Sequence, residues 1–292
     1  MLKDPGLVPS YTDNDLADDE KYRFLGYTQN ENQLIVNSES AAKTLNLETM
    51  MSVQDYKFYA TFMKQSVYES PLDESYFDFT NNTSSNYSKG YYLSPKSGVS
   101  FSGKITLPTT YKDMPVIGVR NFNAQKDVTH IYFAGEPKVE MFGANCFKDL
   151  DKLQVVQLPT TLKVIDNYAF ANCTSLKPLD FSPLTSLVTI GEFVLNGAMK
   201  SDAMIPYFKI PGSVTTIGGY AFTYMFAGIE TFAFGGPGEP SQLTTVGSNI
   251  IDYNSTTPVN KIIFHGLSED FVNSLETSGK IHAAVEISRV DA

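Results

Sequence analysis

The sequence contains no Trp, only two Cys and only three His. Two Cys cannot form a disulfide framework, and His130, His265 and His282 are too few and too scattered for a zinc site. Basic residues are scarce too, with 22 Lys+Arg against 32 Asp+Glu and a net charge of −10. A sequence-independent grip on nucleic acid needs Lys and Arg to displace counterions, so that class is excluded. No apolar run approaches the ~18 residues that mark a membrane-spanning helix. What the chain does have is apolar bulk: 42% of its 292 residues are hydrophobic, including 20 Phe and 17 Tyr. Such a composition builds packed cores and excludes disorder as the overall class.

Charge is unevenly spread. Residues 1–88 carry 14 Asp+Glu and 6 Lys+Arg, whereas residues 89–292 carry 18 and 16. The break falls near the polar run Asn81-Asn82-Thr83-Ser84-Ser85-Asn86, which reads as a loop or linker.

The second segment repeats. An apolar residue followed by Gly or Asp recurs at Ile117-Gly118, Phe142-Gly143, Ile165-Asp166, Ile190-Gly191, Ile217-Gly218 and Val246-Gly247, at spacings of 23 to 29 residues. Five positions after each anchor stands a large apolar residue (Phe122, Phe147, Phe170, Leu195, Phe222, Ile251). Three positions before it stands another (Met114, Val139, Leu162, Leu187, Val214, Leu243). Gly after the anchor suits a tight turn or a positive φ, which Asp166 also tolerates.

Between the anchors, Ile105/Leu107, Ile131/Phe133, Val156/Leu158, Leu179/Phe181, Phe208/Ile210, Phe232/Phe234 and Ile262/Phe264 alternate as half-buried strands do. Pro108, Pro159 and Pro211 end strands, because Pro cannot donate to the ladder. One unit cannot bury its own face, so neighbours must stack. The expected fold is an α/β-type repeat solenoid, a right-handed stack of parallel strands in six to seven coils of 23–29 residues over 89–264.

Leu158-Pro159 through Leu162, Ile165, Ala169-Phe170, Cys173 and Leu176 resembles the BspA-like leucine-rich repeat. Ile210-Pro211, Val214, Ile217-Gly218 and Ala221-Phe222 repeat its core, and Gly90–Leu93 through Ile105–Pro108 is similar to the family's first coil. The resemblance implies a bacterial secreted or surface protein that displays a binding face, often as an adhesin. Insertions near 196–205 and 251–259 depart from the even repeat.

The ends read differently. Ser268 caps an expected helix over Glu269–Thr277, with Glu269 and Asp270 in its first turn, Leu267 and Val272 as a staple, and Gly279 as its stop. With a closing strand over Ala283–Val290 it forms a C-terminal cap, 265–292. Residues 1–88 form an acidic mixed segment or cap. In it Tyr22–Tyr27 and Gln33–Val36 read as strands, Ser40–Asn46 as a helix, and Leu47–Tyr68 fits either period.

No catalytic, cofactor-binding or metal-binding residue is expected. Cys146 and Cys173 occupy coil positions elsewhere held by Ala169 and Leu150, and read as small buried hydrophobes. Gly236-Pro237-Gly238 lacks the third Gly of a dinucleotide fingerprint, and Gly98–Gly103 misses a nucleophile elbow by one residue. The run Asp13–Glu20 places Ala17 and Asp18 where a calcium loop needs an oxygen ligand and Gly, and reads as a solvated leader.

One surface remains. Residues alternating with the buried strand positions form an outward ladder including Thr106, His130, Tyr132, Gln157, Asp180, Tyr207 and Lys209. Solenoids bind partners on such faces, with Tyr132 and Tyr207 as anchors. The expected function is a non-enzymatic, monomeric binding module for a protein or glycan, outside the cell. The alternative is a spacer that presents residues 1–88. Met1-Leu2-Lys3-Asp4-Pro5 has no apolar signal core, so an export or anchor segment is expected upstream, with Met1 added.

Overall fold

The computed structural model describes residues 22–28, 59–64, 71–199, 204–225, 228–251, 259–281 and 286–291. The chain divides into two compact units, Met1–Ser70 and Pro71–Ala292. In the first, β1 (Tyr22–Thr28) pairs antiparallel with β2 (Tyr59–Lys64), with a bulge between Phe24 and Gly26. Residues 59–64, which fit either period, are thus strand. Gln33–Val36, Ser40–Asn46, Met50, Met51 and the acidic run 13–20 lie outside the described residues.

The second unit is a parallel β-solenoid of about seven turns with little helix, so it is mostly β rather than strictly α/β. Its strands line two sides, one a continuous sheet and the other two shorter sheets. The first contains β3 (Phe77–Asn81), β4 (Tyr91–Pro95), β7 (Met114–Val119), β9 (Met141–Phe142), β11 (Val164–Ile165), β12 (Thr189–Ile190), β14 (Thr216–Ile217) and β16 (Thr245–Val246). β6 (Thr110–Tyr111) pairs with β7 as a hairpin. The longer strands form the second side: β5 (Ser102–Leu107), β8 (Asp127–Phe133) and β10 (Val155–Val156), then β13 (Ile205–Ile210), β15 (Ile229–Phe234), β17 (Val259–His265) and β18 (Glu286–Val290).

The strand pairs read from the sequence are the core of the long-strand side. Ile105, Ile131 and Val156 stand in register, as do Phe208, Phe232 and Ile262, and all fourteen residues of the seven pairs are buried. Phe234 stacks on Phe264 at 4.8 Å, and Phe147 on Phe170 at 5.3 Å, so one coil's ring is the next coil's floor.

Three local expectations change. In the first coil the register partner of Phe142 is Val119, not Ile117, because β7 slips by a bulge against β4. Ile117 instead joins Tyr92 and Met141 in a small separate cluster. The Gly after each anchor is not there for positive φ, since Gly143, Gly191, Gly218 and Gly247 all lack it. Gly is required by close approach: a Cβ at Gly218 would lie 2.4 Å from the backbone N of Glu192, and one at Gly247 2.2 Å from that of Gly219. Positive φ falls on the third residue after five of the six anchors, at Asn145, Tyr168, Phe193, Tyr220 and Asn249, and on the fourth, Asn121, after Ile117.

Both ends of the stack are closed. β3 runs antiparallel to β4 and covers the first edge, with Phe77 stacked on Phe101 at 5.4 Å. The polar run 81–86 is the hairpin loop between these strands rather than a link between units. It is tied across the outer face of the sheet. Tyr92 Oη donates to Asn82 Oδ1 (3.0 Å), and the Ser88 N–H and hydroxyl donate to Glu140 (3.0 and 2.6 Å), which also pairs with Lys163. At the other end α1 (Glu269–Thr277) has the expected bounds. The Ser268 hydroxyl accepts from Phe271 N–H (3.3 Å), and Val272 and Leu275 are buried.

Candidate partner-binding face

The outward ladder resolves into two columns on the long-strand side. The first holds Lys104, His130 and Val155, then Tyr207, Thr231, Lys261 and Glu286. These are exposed or half-buried, and Lys261 pairs with Glu286 at 2.7 Å. The second column, two residues along each strand, does not face solvent as expected. Thr106, Tyr132 and Gln157 are buried, at 5, 8 and 2% exposure. Gln157 folds back so that its Oε1 accepts the Phe133 N–H at 2.7 Å, saturating a backbone donor. Alternation along a strand tells which side of the sheet a residue takes, but not whether neighbouring chain covers it. Tyr132 and Gln157 therefore lie within the packing rather than on a displayed face, whereas Tyr207 is 40% exposed.

The long-strand side is not continuous. Lys177-Pro178-Leu179-Asp180 lies between β10 and β13 without joining either as a strand, and the side splits into sheets of three and four strands there. Pro178 cannot donate to a ladder, and Asp180 turns its side chain onto the backbone, accepting Ser182 N–H at 2.9 Å.

Asp180, Tyr207 and Lys209 gather beside this break, with Glu239 as a fourth member. Lys209 pairs with Glu239, whose other oxygen accepts the Gly212 N–H at 2.8 Å. Burial raises the Asp180 pKa against the opposing effects of the Ser182 bonds and Lys209. The Tyr207 pKa is raised by burial and by Glu239. Burial, then Lys209, lowers that of His265. Glu239 was not among the expected residues, because a hairpin bridge between Gly236 and Glu239 carries it back over the strand ends.

Residues 100–227 match the family model of the BspA type leucine rich repeat region, in six copies. The repeats are BspA-type leucine-rich repeats. Among solved structures, a Treponema pallidum leucine-rich repeat protein is 16% identical over 74% of this chain and 100% of its own, with a TM-score of 0.42. A leucine-rich cell surface protein of Faecalibacterium prausnitzii is 18% identical over 66% of this chain and 55% of its own, also with a TM-score of 0.42. No curated protein is detectably similar.

Within the leucine-rich repeat core, both thiols are free and fully buried. Cys146 Sγ–H donates to Val119 O (3.2 Å) and Cys173 Sγ–H to Phe147 O (3.0 Å), each reaching a carbonyl of the preceding coil. Burial pushes the Cys146 thiol far up and the Cys173 thiol to about 12, which keeps both protonated and poor nucleophiles. Among the described residues no cluster of His, Cys, Asp and Glu is arranged to hold a metal ion, and no helix is long and apolar enough to cross a membrane.

The repeat also builds a ridge that pattern reading missed. Tyr168, Phe193 and Tyr220 stack at 4.8 and 4.9 Å, nearly parallel, with φ of 58°, 54° and 57°. Lys148 lies over Tyr168 at 5.0 Å. The signal was present as one aromatic three residues after three successive anchors.

Proposed function

We propose that this chain is a non-enzymatic, monomeric binding module that works outside the cell or at its surface in an adhesin-like role. It recognises a protein or glycan through the exposed column of its long-strand side. The observation that supports this is the column itself, in which each strand on either side of the break contributes one outward side chain in register with its neighbours, Lys104 and His130 before it and Tyr207, Thr231 and Lys261 after it. The repeat family is consistent with display of such a face.

The test is a binding screen of the intact chain against matrix proteins and a glycan panel, followed by Tyr207→Ala with Lys209→Ala. Loss of at least ~10-fold in affinity, about 1.4 kcal/mol, is expected. Unchanged binding would place the partner elsewhere. The division into two units favours one second reading, in which the solenoid is a spacer presenting Met1–Ser70. In that case binding survives the double substitution.

A further inference from the structure

We propose that the break in the long-strand side is a subsite for one neutral pyranose unit of a glycan. Tyr207 is its stacking platform, and Asp180, Lys209 and Glu239 are its hydrogen-bonding groups. The inference rests on the binding-module reading and chooses between its two partner classes.

The ring comes first. Tyr207 is 40% exposed, while its ladder neighbour on β15 is the smaller, half-buried Thr231. Upstream the sheet is interrupted at Pro178. The phenol therefore stands where no regular strand rises beside it. Aromatic rings presented this way receive the C–H face of a sugar and leave the hydroxyls to polar neighbours.

Those neighbours are in place. Lys209 lies two residues along the same strand and on the same side, about 6.6 Å away by strand geometry, roughly the span of one hexose. Its ammonium is held by Glu239, which is itself held by the Gly212 N–H (2.8 Å), so neither has to be ordered on binding. A Cβ at Gly236 would lie 3.2 Å from Lys209 Nζ, so the absence of a side chain there leaves the ammonium its room. Asp180 is held by hydrogen bonds from Ser182 alone among the described residues, through its N–H at 2.9 Å and its hydroxyl, which fixes the carboxylate and leaves it acceptor capacity. The set thus offers an ammonium donor and two carboxylate acceptors around one ring, matching the paired donor and acceptor character of sugar hydroxyls.

Charge selects the kind of sugar. The ammonium of Lys209 is already paired with Glu239, Asp180 adds a second carboxyl group, and burial, then Lys209, lowers the His265 pKa, so the set presents no unpaired cation to an acidic sugar. A uronate or sialylated unit would meet like charge, whereas a neutral hexose needs no counterion. A protein hot spot would instead want an apolar pocket around the ring, and here the surroundings are polar and already paired.

Saturation-transfer NMR and calorimetry on the intact chain, with neutral and acidic oligosaccharides, test this. Neutral oligosaccharides are expected to bind, with Tyr207→Ala and Lys209→Met each weakening them at least ~10-fold. Tyr207→Phe should stay within about threefold, since the platform remains. Tyr224→Ala, a surface tyrosine at 55% exposure on another side of the coil, should have no effect, and circular dichroism checks that each variant is folded. The inference is overturned if no neutral glycan binds, if acidic ones bind better, or if Tyr207→Ala leaves neutral binding within twofold. Should Tyr207→Ala instead abolish binding of a protein partner while glycans never bind, the pyranose subsite fails and the binding-module reading stands.

Discussion

Phe147 shows what a coil demands of one side chain. It has no exposed surface and meets Phe122, Phe142 and Phe170 at 6.0, 5.2 and 5.3 Å. Because those rings belong to three successive coils, truncation opens a cavity that no single coil can close. Phe147→Ala should cost about 3–5 kcal/mol, measured by urea denaturation. Cys146 and Cys173 make the opposite kind of prediction. Their thiols are buried, protonated and bonded to carbonyls of the preceding coil, so iodoacetamide at pH 8 should modify neither until the chain is unfolded. Mass spectrometry of native and denatured samples reads this directly, and rapid native labelling would contradict the packing. Sequence position alone identified these residues as buried, because both fall at coil positions held elsewhere by Ala169 and Leu150.

Adjacent elements touch through their backbones as much as through their side chains. A methyl group at Gly218 would meet the backbone of Gly191 and Glu192 within 2.8 Å, so Gly218→Ala forces two coils apart. The expected loss is about 2–4 kcal/mol, seen in thermal unfolding, even though Ala is ordinarily the smallest of changes. The loop strapped over the first coils is held differently.

Burial pushes the Glu140 pKa up, but hydrogen bonds from Ser88 and the nearby Lys163 outweigh it and leave the group below the usual glutamate range. A lowered folded pKa stabilises above the unfolded value of about 4.3, and that contribution is lost as pH falls through the folded value. Glu140→Gln should therefore destabilise by about 1–3 kcal/mol at pH 7, and the gap to wild type should narrow below about pH 4. At the far end, Ser268→Ala removes the cap of α1 and should cost about 1 kcal/mol.

For the molecule as a whole, order along the chain is order along the stack. The 23–29-residue period, the alternating pairs and the capping serine announced the solenoid, the core positions and α1, because each coil repeats one local solution. The candidate face was half legible. Asp180, Tyr207 and Lys209 come together beside the break, whereas Tyr132 and Gln157 are buried although their strand parity matches Lys209. Glu239 was invisible because a hairpin, not a strand register, delivers it.

The sequence by itself determined the coil period, the inward-facing apolar column and the turn sites, since these follow from side-chain spacing within about 25 residues. Only the tertiary structure decided why Gly follows the anchors, where the long-strand side breaks and which outward residues meet solvent. Those depend on how closely one coil's backbone lies against the next, a distance that no single coil's sequence contains.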